Sequence, residues 1–171
     1  MVLDCFAILN DVELTDSERK LACLLVFIQD FNTLEDVLSI SEDELALLIN
    51  NIFLFFNCGQ SDTGPRMNYR VIDWEQDSQL ISAAVNKVAG KEIRAEQYIH
   101  WWTFMGYFNT IGEGALSTIV GIRNKIARGK PLEKHERVFR MENPQYFNWD
   151  MRTLQQKEDD ELLNQIWNRG E

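Results

Sequence analysis

The sequence predicts an all-α fold, a single compact domain of about six to eight helices around an aromatic-rich central helix. Apolar residues recur at the three- and four-residue spacing of one helix face in several segments. Two of these segments begin with capping boxes, Thr15–Glu18 and Ser41–Glu44, in which a hydroxyl and a carboxylate each satisfy a free backbone N–H. No stretch alternates apolar and polar residues for long enough to predict a β-strand.

The central helix is predicted from about Ala95 to Asn109, where aromatic residues and methionine are most concentrated. Apolar side chains cover nearly its whole circumference, so other parts of the chain or a partner must cover most of its sides. We interpret it first as a core helix. The functional alternative is that one side contacts another protein, because aromatic residues and methionine are enriched at interface cores. The candidate partner-binding residues are Trp101, Trp102, Phe104, Tyr107 and Phe108.

The remaining helices follow from their apolar stripes and from the residues that begin and end them. Gly59 and Gly90 are expected to end two of them in the left-handed conformation, and Pro144 to stop a third. In chain order, the predicted helices run from Val2 to Leu9, from the Thr15 cap through Ile28, from the Ser41 cap to Cys58, from Asp73 to Gly90, from Leu116 to Ile126, from Leu132 to Glu142, and from Asp150 to Asn168.

The clearest loop covers residues 60–68 and contains Gly64–Pro65. We interpret it as a surface loop inside a helical domain of residues 1–142, with a domain boundary as the alternative. Residues 143–171 are predicted to form a C-terminal helical arm.

Charge is distributed unevenly along the chain. The net charge is −10, and residues 1–64 contain 12 acidic residues but only Arg19 and Lys20 as bases. A basic window between residues 123 and 140 indicates either head-to-tail contact between copies or two solvated faces that never meet. Nucleic-acid binding is disfavoured by the overall acidity, although the basic window keeps it as an alternative. The candidate self-association residues are Arg123, Lys125, Arg128, Lys130, Arg137 and Arg140.

No motif predicts catalysis, a cofactor or a metal site. The chain has no Gly-rich phosphate loop, GxSxG or HExxH, and His100 and His135 lack ligand-spaced companions. Asp73, Glu75 and Asp77 are a weak candidate for holding a cation, and Asp73 is better explained as a helix cap. Three cysteines without a CxxC motif predict reduced, buried thiols in a cytoplasm. No apolar run is long enough to span a membrane, and the N-terminus is a poor signal peptide.

Two middle segments carry a resemblance to a known family. Asp73-Trp74-Glu75-Gln76-Asp77, followed by Ile81, Ala83 and Ala84, is similar to one of its patterns. His100-Trp101-Trp102-Thr103-Phe104, with Phe108-Asn109, Ile111 and then Arg123, is similar to the next. In this order and spacing, the segments resemble the bacteriophage family named after the fifteenth gene product of a Listeria phage. Two earlier segments, Leu14 to Lys20 and Asn57-Cys58-Gly59, resemble it too, so the resemblance covers roughly residues 3–140.

The resemblance implies a tail assembly chaperone of long-tailed phages or prophages, without enzymatic activity or cofactor. Such a chaperone coats the tape-measure protein in the host bacterial cytoplasm, together with other copies of itself, and is absent from the mature virion. The alternative is a structural tail or connector component of the virion. From the residues themselves, an apolar groove would be needed to bind an apolar client helix.

Overall fold

The computed structural model describes residues 1–11, 13–31, 33–61, 69–148 and 157. Within these residues it contains eight α-helices, two short 3-10 helices and no β-strand, which confirms the all-α prediction. None of the described helices is long and apolar enough to cross a membrane. The helices are α1 Val2–Leu9, α2 Asp16–Phe27, α3 Leu34–Leu38, α4 Glu42–Phe56, α5 Ser78–Ala89, α6 Trp101–Asn109, α7 Ala115–Ala127 and α8 Lys134–Glu142.

The chain divides into two compact units within the predicted loop. The first unit, described here over residues 1–61, contains α1 to α4, and the second, over residues 69–148, contains α5 to α8. The predicted C-terminal helix from Asp150 to Asn168 lies outside the described residues, apart from Lys157. Each unit has its own cluster of buried apolar side chains.

The first unit packs α1, α3 and α4 against α2. Cys5 and Cys23 are buried side by side, and the thiol of each donates to the other's backbone carbonyl, at 3.8 Å from Cys5 and 3.7 Å from Cys23. The Cys5 contact and burial raise the pKa of the Cys23 thiol. Both cysteines are free and buried as predicted, whereas Cys58 is only half-buried. The buried members of this core are Cys5, Cys23, Leu24, Val37, Ile52 and Phe56.

Local hydrogen bonds begin three of the first unit's helices. Both predicted capping boxes form, with Thr15 and Glu18 at the start of α2 and Ser41 and Glu44 at the start of α4. A third box, Thr33–Asp36, begins the short helix α3, which sequence reasoning missed. Its Thr-x-x-Asp spacing is the signal that identifies it, because Asp36 fills the role that glutamate has in the other two boxes.

The end of α4 is left-handed at Gly59 as predicted, with φ of 80°. Cys58, one residue earlier, is left-handed as well, with φ of 54°. Its N–H donates to the carbonyl of Phe55 at 3.1 Å, and the N–H of Gly59 donates to that of Leu54 at 2.8 Å. This pair of bonds is a Schellman motif, which satisfies two of the free carbonyls at a helix end.

Two helices of the second unit begin later in the chain than predicted. Asp73 caps a turn over residues 74–77 by accepting from the N–H groups of Glu75 and Gln76, so α5 starts at Ser78. The aromatic helix α6 starts at Trp101, because the side chain of His100 accepts from the N–H of Trp102.

The segment before α6 is held by α5 in another conformation. Residues Ile93–Ala95 form a 3-10 helix, whose Ile93 N–H donates to the side chain of Asn86 at 2.8 Å. The Arg94 guanidinium donates to Ser82 Oγ at 2.9 Å. These bonds to α5 compete with the extension of α6 toward residue 95, which periodicity alone had favoured.

The left-handed cap predicts that Cys58→Gly stabilises the protein. A side chain in this conformation costs about 1–2 kcal/mol, and glycine removes that cost while adding some entropy to the unfolded chain. We expect the free energy of unfolding to rise by about 1 kcal/mol in urea titrations. Cys58→Ala is the matched control, because it removes the thiol and keeps the strain. Equal stability of the two variants would contradict the left-handed conformation at residue 58.

The capping boxes predict a specific sensitivity to acid. Bonds from the N–H and hydroxyl of Thr15 lower the pKa of Glu18, and those of Ser41 lower the pKa of Glu44. A carboxylate whose pKa is lower when folded stabilises the protein above its unfolded pKa of about 4.5 and loses this effect as pH falls through the folded value.

We expect the urea midpoint of the Glu18→Gln/Glu44→Gln variant to fall less steeply than that of the wild type as pH drops below about 4.5. Glu13→Gln, which removes an exposed carboxylate outside both boxes, serves as the control. If the urea midpoints of the capping variant and the wild type change with pH in parallel, the lowered pKa values of Glu18 and Glu44 do not contribute to stability.

Candidate functional site

The aromatic helix α6 divides its large side chains between the core of the second unit and the surface. Trp74 is half-buried against the core of the second unit, with ring centroids 6.0 Å from Trp101, 6.2 Å from Phe104 and 5.2 Å from Phe108. Phe104 also stacks on Trp101 and on Phe108, with interplanar angles of 18° and 19°. These three candidate partner-binding residues are therefore engaged within the unit, and Tyr107 is half-buried against the same core.

Trp102 is the candidate that the structure leaves open to solvent. Its side chain is 44% exposed, and the imidazole of His100 lies edge-on to its indole at a centroid distance of 5.9 Å. Tyr98, just before the helix, is 71% exposed. Large aromatic side chains at the surface beside a rigid core are typical of interface anchors. We call Tyr98, His100 and Trp102 the aromatic edge.

A buried ion pair joins the residue before α5 to α7. The Arg123 guanidinium donates to both carboxylate oxygens of Asp77, at 2.6 Å from Nη1 and 2.9 Å from Nη2, and both residues are 0% exposed. Arg123 also donates to the carbonyl of Val71 at 3.1 Å and to that of Tyr146 at 2.8 Å. A buried charge is tolerated when it is paired and its remaining donors are satisfied, which is the case here.

This arrangement corrects the interpretation of two sequence features. Arg123 does not reach the surface, so we remove it from the candidate self-association residues. Asp77, considered above for a cation, instead accepts from Arg123 and from the N–H of Asp73. A sequence signal existed for Arg123: together with Leu116 and Ile119 it follows the i, i+3, i+7 spacing of the buried face of α7. Its charge obscured this signal, since arginine is rarely fully buried.

Among the remaining basic residues, Lys125 forms ion pairs within the second unit, whereas the others lie on the surface. Lys125 Nζ lies 2.6 Å from Glu136 and 3.5 Å from Glu133, and the hydrogen bond to Glu136 raises the pKa of Lys125 and lowers that of Glu136. Arg128 donates to the hydroxyl of Tyr69 at 2.9 Å and Arg137 to the carbonyl of Leu132 at 2.9 Å. The exposed candidates for self-association are Arg128, Lys130, Arg137 and Arg140.

The other polar residues considered for chemistry have local structural partners. Asp73 pairs with Arg70 at 2.9 Å in addition to capping its turn, and His135 lies 3.5 Å from Glu133 on the surface. The described part of the chain contains no group of three or more His, Cys, Asp or Glu residues placed to hold a metal ion.

The described part of the chain is thus all-α, with an exposed aromatic edge and a group of exposed cations. A family model for the bacteriophage Gp15 protein matches residues 1–146, most of the chain. The chain therefore belongs to the bacteriophage Gp15 family, which confirms the resemblance inferred from its motifs. Comparisons with curated proteins and with solved structures found no match.

The buried pair predicts a large loss of stability when one partner is removed. Arg123→Met leaves the Asp77 carboxylate buried without its countercharge, and we expect the free energy of unfolding to fall by about 3–5 kcal/mol. Adding Asp77→Asn removes the stranded charge while keeping an oxygen acceptor for the N–H of Asp73. The double variant is therefore expected to be more stable than Arg123→Met alone, as urea unfolding would measure.

Arg128→Met is the matched control, since Arg128 is an exposed arginine at the end of the same helix. We expect it to change stability by less than about 1 kcal/mol. The single variant Asp77→Asn completes the comparison, and a loss in the double variant equal to the sum of the two single losses would show that the two buried residues are not coupled.

Proposed function

We propose that this phage protein is a non-enzymatic tail assembly chaperone that coats the tape-measure protein in the host bacterial cytoplasm and is absent from the finished virion. The observation that carries the proposal is the aromatic edge, where Tyr98 and Trp102 expose large apolar surfaces beside a packed aromatic core. Membership of the bacteriophage Gp15 family supports a role in a phage particle or its assembly.

The aromatic edge has the properties that binding an apolar helix requires. Tyrosine and tryptophan bring a large contact area while retaining a polar group for water or a partner. Behind Trp102, the hydrogen bond from its N–H to His100 and the burial of Trp101 fix the first turn of α6. A rigid anchor loses little side-chain entropy on binding, which favours affinity for a client.

A groove in the same unit provides a second apolar surface. It lies between α5 and the segment that joins α6 to α7, and its volume is about 350 Å³. Leu80, Ala84 and Val88 line one side, and Ile111 and Leu116 line the other. An amphipathic helix binds to such a groove through apolar residues spaced by three or four positions. In our proposal, the groove receives the apolar side chains of the tape-measure helix.

Co-expression with the tape-measure protein of the same phage tests the function. We expect the tape-measure protein to be insoluble alone and to enter a soluble high-mass complex with the wild-type chain, as light scattering after size exclusion would show. Tyr98→Ser/Trp102→Ser should weaken this complex by about 100-fold or more, because exposed aromatic anchors commonly contribute about 2 kcal/mol each.

Leu3→Ser, which removes an exposed apolar residue from α1, is the control and should retain the complex. A tape-measure protein that gains no solubility from the wild-type chain would overturn the chaperone proposal. Detection of the chain in purified phage particles would favour a structural tail or connector component instead.

A further inference from the structure

The two units carry uncompensated charges of opposite sign. Residues 1–61 contain eleven Asp and Glu residues but only two bases, of which Arg19 is buried and donates to the carbonyl of Asp11, and Lys20 pairs with Asp16. In the second unit, seven exposed cations form no ion pair with any carboxylate of the described residues. Five of the seven lie between residues 128 and 140: Arg128, Lys130, Lys134, Arg137 and Arg140.

Helix α4 has apolar residues on two sides, and only one of these sides packs into the core of the first unit. Ile52 and Phe56 are buried, whereas Leu47 is 60% exposed and Leu54 is 42% exposed. Asp43, Leu47 and Leu54 follow one another at spacings of four and seven residues, so they share a face of the helix. Glu42 and Asp43 bring negative charge to its first turn. This exposed side, defined by Asp43, Leu47 and Leu54, is the α4 outer face.

The second unit offers a complementary groove between α7 and α8. Ile122 of α7 and Val138 and Phe139 of α8 line it, and its volume is about 620 Å³. Val138 is 46% exposed, and Met141, one turn further along α8, is 80% exposed. The charged residues that line it are Lys134, Glu142 and Glu136, of which Glu136 is paired with Lys125. The exposed Arg137 and Arg140 lie on the same helix outside the groove lining.

We propose that the α4 outer face of one copy docks into the α7–α8 groove of a second copy. Leu47 and Leu54 then pack against Val138 and Met141, which gives the contact an apolar centre. Glu42 and Asp43 approach Lys134 at the start of α8, which gives it a charged rim. An apolar centre with a polar rim is the usual organisation of protein interfaces, and opposite charges favour this pairing over like-with-like contact.

The contact joins two different surfaces, so each added copy leaves one of each unoccupied. Such head-to-tail contacts build open chains or spirals unless their rotation closes a ring. The inference deepens the proposed function and rests on it, since a coat along an extended tape-measure helix requires many copies side by side. Its test uses the purified chain without the tape-measure protein, so the two proposals can fail separately.

Two variants with complementary defects test the contact. Leu47→Ser/Leu54→Ser damages the α4 outer face, and Val138→Ser/Met141→Ser damages the groove. The four side chains are exposed, so both variants are expected to fold, which circular dichroism would check. Sedimentation velocity should show concentration-dependent assemblies for the wild type, shortened by high salt, and monomers for each variant alone. Leu3→Ser/Leu38→Ser, which removes two exposed apolar residues outside the proposed contact, should assemble like the wild type.

An equimolar mixture of the two variants gives the decisive result. Each retains one intact surface, so we expect a 1:1 heterodimer that cannot grow further. The heterodimer would also show that both variants are correctly folded. A wild type that remains monomeric at all concentrations, or a folded mixture that forms no heterodimer, would overturn the proposal. Duplex DNA bound by a monomeric wild type and lost in Arg137→Glu/Arg140→Glu would assign the basic surface to nucleic acid instead.

Discussion

The second unit depends on the buried pair between Arg123 and Asp77. Through four hydrogen bonds, one guanidinium connects α7 to the turn before α5, to the backbone at Val71 and to the backbone at Tyr146. Apolar packing alone is tolerant of small shifts, whereas a bidentate pair without water allows only a narrow range of positions. The pair thereby fixes the relation between α5 and α7, the two helices that border the smaller apolar groove.

The same pair determines which charges remain for partners. Arg123 and Asp77 neutralise each other inside the fold, and Lys125 is occupied by Glu133 and Glu136. Five exposed cations remain at the end of α7, in the following loop and on α8, and one of them, Lys134, lines the larger groove. In the aromatic region, Trp74 similarly contacts Trp101, Phe104 and Phe108, whereas Trp102 stays exposed to solvent. The binding surfaces that we propose are therefore the parts of each helix that its own unit does not use.

Predictions from the sequence succeeded where a feature is set by neighbouring residues. The capping boxes at Thr15 and Ser41 and the apolar stripe of α7 involve contacts within one helix, so their spacing identified them. The start of α6 was placed about six residues early, since bonds from Ile93 and Arg94 to α5 hold the preceding segment in another conformation. The aromatic segment was identified from the sequence, but not which of its rings stay exposed.

The sequence by itself determined the all-α class, the position of most helices, the separation of acidic and basic regions and the family. The family was inferred from the resemblance of its motifs, and the other properties follow from local periodicity, capping and composition, which require no knowledge of distant contacts. Only the tertiary structure decided that Arg123 is buried, that Trp102 is the exposed member of the aromatic set, and that α4 has an unused apolar face. Burial depends on which helices pack together, and the side chains of Asp77 and Arg123 meet across 46 positions of the chain.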